Sequence, residues 1–189
     1  QELYQITEGL MTPLIGNLLV EAGYDAHYSL EPKTLHSPPA WESVLRFEPP
    51  RTLTIREPAV IDLGAMGKGY LIDLVSDLLW QRGLRSYCID AGGDILYRHP
   101  SPEGLRIGLE HPEQLDQAIG ITTIYNQSLC GSAGNRRAWG EFHHIMNPKT
   151  RTSPRELLAV WTVAQTTLLA DAMSTALFFT SAEKLQTHY

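Results

Sequence analysis

The stretch Ile61-Asp62-Leu63-Gly64-Ala65-Met66-Gly67-Lys68-Gly69-Tyr70 decides how this chain is read, because a short apolar run passes through a turn of small residues straight into a helix. Small residues beside a carboxylate let backbone and oxygen ligands come close to a polyphosphate and its metal. The first N–H groups of the helix have no partner within it and can hold phosphate oxygens. The glycine spacing matches neither the nucleotide P-loop nor the dinucleotide fingerprint. Lys68 at the helix start opposes the helix dipole, and two readings account for it: contact with an anionic ligand, or simple exposure.

Downstream of this turn, Tyr70, Leu71, Leu74, Val75, Leu78 and Leu79 form an apolar stripe, so the spacing predicts a helix over 67–82 with Gly83 as its C-terminal stop. Ser86 to Asp90 and Asp94 to Tyr97 read as strands around Gly92-Gly93, with Leu105 to Leu109 expected to pair with them. Ile119 to Tyr125 and Gln127 to Cys130 are expected to continue the sheet, followed by a strand over Leu157 to Ala164 and a helix over Thr166 to Thr180. Upstream, helical spacing from Glu2 to Glu21 breaks at Thr12-Pro13, which predicts two helices with a joint. The proline-rich stretch 25–51 reads as an extended connection, and Thr52 to Arg56 and Ala59 to Leu63 as strands. Strands in hairpin-like clusters outnumber helices, which predicts an α+β fold with antiparallel-rich sheets and packed helices.

The 189 residues suffice for one core or for two small lobes sharing one, and a single domain over 1–189 is the default reading. A net charge of -6 gives no general attraction to nucleic acid. No run reaches the roughly 20 apolar residues of a membrane-spanning helix. Cys88 and Cys130 sit in apolar contexts and read as buried free thiols rather than a bridge.

Asp171 and Thr175, four apart on a helix, put two oxygens on one face, as binding of a hard cation requires; the alternative is a threonine bonded to its own helix and a solvated aspartate. Ala170, Ala172, Ser174 and Ala176 around them admit another segment's backbone. Asp90-Ala91-Gly92-Gly93-Asp94 is either a hairpin turn or a place where a flat ring or phosphate meets the backbone. His143 and His144 face opposite ways on an extended segment, so only one ring can enter a given site, as base or proton donor.

In order along the chain, Asp62 to Asp73, Asp90 to Ile95, Ser132-Ala133-Gly134, His144 to Thr150 and Ala170 to Ala176 resemble the motifs of the ApbE family, the FAD:protein FMN transferases. Gly9-Leu10-Met11-Thr12-Pro13 resembles a further family segment. The resemblance implies a T-fold-like, two-lobed architecture with FAD bound between the lobes and Mg2+ held by Asp171, Thr175 and the carbonyl of Ala65. It maps flavin contacts onto Leu10, Met11, Thr12, Asp62, Lys68 and Ile145, and the role of catalytic base onto His144. The implied reaction moves FMN from FAD to a Thr or Ser hydroxyl of an acceptor flavoprotein and releases AMP. Its alternatives are FAD pyrophosphatase activity, giving FMN and AMP, and flavin binding without catalysis. The family pattern extends beyond this chain at both ends, and family members are commonly periplasmic or membrane-anchored; a cytoplasmic location is the alternative. Three positions depart from the pattern: Thr12 and Asn147 each replace an aspartate, and Arg151 replaces a glycine.

Overall fold

The computed structural model describes residues 1–189. Its elements in chain order are α1 (Glu2–Ile6), a 3-10 turn (Pro13–Ile15), α2 (Gly16–Glu21), α3 (Trp41–Val44), β1 (Leu45–Glu48), β2 (Thr52–Ile55), α4 (Gly67–Gln81), β3 (Tyr87–Asp90) and β4 (Ile95–Arg98). They continue with β5 (Leu105–Glu110), β6 (Ala118–Ile124), β7 (Ser128–Ala133), β8 (Ala138–Trp139), β9 (Phe142–His143), β10 (Ala159–Ala164), α5 (Thr167–Ala176) and α6 (Ala182–Gln186). All strand pairs are antiparallel, so the α+β expectation holds. No helix is long and apolar enough to cross a membrane.

The chain divides into two compact units, the first made of Gln1–Leu63, Arg136–Glu156 and Ala176–Tyr189, the second of Gly64–Asn135 and Leu157–Thr175. In the first, Leu18, Leu19, Ala22, Trp139 and Met146 form one buried cluster, and Leu14, Trp41, Val44 and Leu45 another. The indole N–H of Trp139 donates to the Ala22 carbonyl at 2.7 Å, which pairs the polar end of an otherwise apolar side chain. The expected strand over Ala59 to Leu63 is absent. The segment instead lies against Gly16, where any Cβ would collide with Val60.

In the second unit the strand order is β10-β7-β4-β3. Leu105 to Leu109 does not join this sheet as expected: β5 pairs with β6 in a separate two-stranded sheet. The helix expected at 67–82 is α4, and Gly83, at φ +87, ends it as predicted. The apolar stripe, however, is not the packed face. Tyr70, Leu71, Leu74, Val75 and Leu78 are exposed, whereas Gly69, Ile72 and Ser76 are buried. These three positions lie on one helix face, and Gly69 lets α4 approach α5 closely. A Cβ at Gly69 would press into the Thr167 carbonyl and come within 2.8 Å of the Asp171 Cβ. Gly69→Ala is therefore expected to lower stability by about 2 kcal/mol through overpacking against backbone, measured as a fall in denaturant midpoint at unchanged m-value. Cys88 lies on the edge strand β3 and is exposed, contrary to expectation, while Cys130 is buried and both thiols are free.

Candidate functional site

In the second unit, α5 begins where a carboxylate from α4 meets it. The Thr167 and Leu168 N–H groups donate to the two oxygens of Asp73 at 2.9 and 2.8 Å, so a distant side chain adds to the local cap, in which the Thr166 hydroxyl accepts the Leu169 N–H at 3.3 Å. Ser128 bonds the Thr167 hydroxyl at 2.8 Å, tying the same end to β7. One turn further, Asp171 accepts the Gly69 N–H at 2.8 Å and is only 6% exposed, which rules out the solvated aspartate. Burial first, and then the negative charge of Asp94, push the Asp171 carboxyl up to about 6, against the pull of the Gly69 N–H and Lys68. A buried carboxylate held above its usual range is short of positive charge. Thr175 lies one further turn along α5, with its hydroxyl 3.3 Å from that of Ser132, which also bonds Ser174 at 2.7 Å.

Lys68 follows the turn that carries Ala65, and its ammonium lies 2.8 Å from Asp94, a carboxylate only 1% exposed. The unfavourable cation at the helix N-terminus is thus held by an ion pair. No group of three or more His, Cys, Asp or Glu side chains is arranged to hold a metal ion. The Asp171 carboxylate and the Thr175 hydroxyl, both on α5, are oxygen donors of the kind a hard cation takes.

In the first unit, the Thr7 hydroxyl accepts the Met11 N–H at 2.9 Å, and the Thr12 hydroxyl accepts the Leu14 N–H at 3.2 Å, which commits Thr12 to capping the 3-10 turn. The Asp62 N–H donates to the Pro13 carbonyl at 2.8 Å, so the Leu10 to Thr12 segment and Asp62, expected to share a ligand, are joined through backbone. His143 is the structural member of the histidine pair. It is buried, its Nε2 lies 2.8 Å from the Pro154 carbonyl, its Nδ1 accepts the Ile145 N–H at 3.3 Å, and burial lowers its pKa. Ile145 is buried, and His144 is partly exposed.

The departures have local explanations. Asn147 accepts the Lys149 and Thr150 N–H groups at 2.9 and 3.1 Å through its side-chain oxygen, so the amide supplies the turn acceptor an aspartate would. Arg151 has φ +62, a conformation that glycine adopts without cost and arginine does not. Two residues within the quoted motifs, Asp73 and Asp94, had no role assigned from sequence. The signal available was only their place at the ends of the Asp62 to Asp73 and Asp90 to Asp94 blocks.

Residues 1–188 match the model of the ApbE family. Among curated relatives, an FAD:protein FMN transferase of Escherichia coli is 30% identical over 132 residues, 66% of this chain and 38% of that protein. One from Haemophilus influenzae is 28% identical over 201 residues, 96% of this chain and 58% of that protein. The chain therefore spans between about two fifths and three fifths of these relatives' lengths. Among solved structures, an ApbE protein from Thermotoga maritima superposes with a TM-score of 0.82 at 22% identity, covering 98% of this chain and 64% of that one. The flavin transferase ApbE of Vibrio cholerae gives 0.70 at 21% identity, covering 98% and 63%.

Proposed function

Because the chain belongs to the ApbE family, we propose that it is a Mg2+-dependent FAD:protein FMN transferase, moving FMN from FAD to a Thr or Ser hydroxyl of an acceptor flavoprotein. The observation that supports this most is the buried Asp171 carboxylate, bonded to the Gly69 N–H within the glycine-rich block. Mg2+ on Asp171, Thr175 and the Ala65 carbonyl would supply neutralisation of the diphosphate charge.

The chain's own groups do the rest. The turn before α4 and the Lys68 ammonium bind diphosphate oxygens, while Leu10, Met11, Thr12, Asp62 and Ile145 hold FAD. His144 takes the proton from the acceptor hydroxyl as its oxygen bonds the flavin-side phosphorus. The bond from that phosphorus to the bridging oxygen breaks, and AMP leaves with that oxygen.

One incubation with FAD, Mg2+ and a target protein carrying an acceptor Thr tests the proposal. The expected result is a mass gain of one FMN on the target, with AMP in solution. Free FMN and AMP with an unmodified target would assign a pyrophosphatase. FAD retained intact would leave a flavin-binding protein.

A further inference from the structure

Lys68 presents a problem of charge. Its stem starts one residue before Gly69, whose N–H already reaches the Asp171 carboxylate at 2.8 Å. A lysine so placed is a competitor for Asp171: an ammonium bound there would occupy the carboxylate that a divalent cation needs. The structure places the ammonium elsewhere, 2.8 Å from Oδ2 of Asp94. That oxygen receives no aligned hydrogen bond, so the pairing is one of charge. Asp94 is fixed in turn. Its carbonyl accepts the Ala91 N–H at 3.0 Å across the Gly92-Gly93 turn, both glycines at positive φ, and β4 begins at the next residue. A carboxylate buried to this degree is costly without a counter-charge, and Lys68 provides it.

We infer that Asp94 is a positioning residue of this site: its buried carboxylate holds the Lys68 ammonium off Asp171 and so keeps Asp171 available to a divalent cation. The inference rests on the cation site proposed above. The neighbouring buried thiol of Cys130 supports the shared environment, since burial and then the charges of Asp94 and Asp171 push it up. With Asp94 in place, the Lys68 ammonium is paired there and Asp171 is left to the cation. Without Asp94 the lysine is released to Asp171, and that pair cancels instead. The effect of Asp94 thus runs through Lys68, which distinguishes it from a metal ligand and from a residue that merely supports the fold.

The test is titration of Mn2+ alone onto the flavin-free protein, followed by the EPR signal of free Mn2+, with thermal unfolding as the check of fold. Asp94→Asn is expected to weaken Mn2+ binding about tenfold or more, the scale of one neighbouring charge. Adding Lys68→Met to Asp94→Asn should restore binding to within about threefold of the parent, because the competitor is gone. Lys68→Met alone alters a side chain that is 39% exposed, which keeps the test open if Asp94→Asn does not fold, and it should bind Mn2+ at least as tightly as the parent. Parent-like binding by Asp94→Asn, an unrescued double variant, or weaker binding by Lys68→Met overturns the inference. A parent protein that takes up no Mn2+, or takes it up equally well as Asp171→Asn, overturns the cation site itself.

Discussion

Asp171→Asn is expected to lower kcat/KM for flavin transfer by about a thousandfold, the scale on which losing a preorganised charge-stabilising group is felt, while the protein remains folded. The two halves of this expectation have separate causes. Asparagine keeps an oxygen that can accept the Gly69 N–H, so the contact between α4 and α5 survives. Alanine would leave that N–H unpaired, costing about 1–3 kcal/mol. The amide also removes a liability. A carboxyl whose pKa is higher in the folded state than in the unfolded state makes the folded state bind protons more tightly, so its contribution to stability is present at low pH and declines as pH rises towards about 6. Above that value the buried charge opposes folding wherever no cation compensates it. In cation-free buffer near neutrality Asp171→Asn should therefore melt no lower than the parent, while added Mg2+ raises the melting temperature of the parent alone. In the parent, cation affinity should weaken by about tenfold per pH unit below the carboxyl pKa, as protons compete for the same oxygens. A variant with parent-like, Mg2+-dependent turnover would remove Asp171 from the mechanism.

Local patterns in the sequence carried what depends on nearest neighbours. Gly83 marks the end of α4 because its positive φ is a property of that one residue. Periodicity identified α4 as a helix but selected the wrong face. The buried face is set by what α5 brings to it: Gly69 meets Thr167 and Asp171, and Asp73 caps the α5 N-terminus, pairings about a hundred residues apart in the chain. The same limit applies to β5. Leu105 to Leu109 reads correctly as a strand, yet nothing local says that it pairs with β6 rather than β4. The common face of Asp171 and Thr175 on α5 was legible because helical spacing fixes it. The work of Asp94 was not, since its ion-pair partner lies on a different element. Cys88 shows the converse error: an apolar neighbourhood in sequence turned out to be an edge strand with one side open.

His144→Ala is expected to slow FMN transfer by about 10²- to 10⁴-fold, the usual contribution of a positioned general base, while FAD binding survives. The hydrogen bonds of His143 support the choice of His144 over it. Accepting the Ile145 N–H at Nδ1 leaves Nε2 as the protonated nitrogen facing the Pro154 carbonyl, so both ring nitrogens are committed and the neutral tautomer is fixed by its partners. Burial, which lowers its pKa, opposes the imidazolium that a base must become. His143 also faces Phe178 at 6.3 Å between ring centroids and receives the Ser153 hydroxyl on its backbone carbonyl at 2.9 Å. Its replacement by alanine should accordingly appear as lost stability. The measurements that separate the two are the initial rate of FMN mass gain on the target and the quenching of FAD fluorescence on binding, each corrected for the folded fraction. If His144→Ala transferred at the parent rate while His143→Ala lost transfer at full folding, the proton would leave by the ring that the hydrogen bonds appoint to structure, and the assignment would be reversed. A parent-like rate in both would place the base outside this histidine pair, with the acceptor hydroxyl deprotonated by another group.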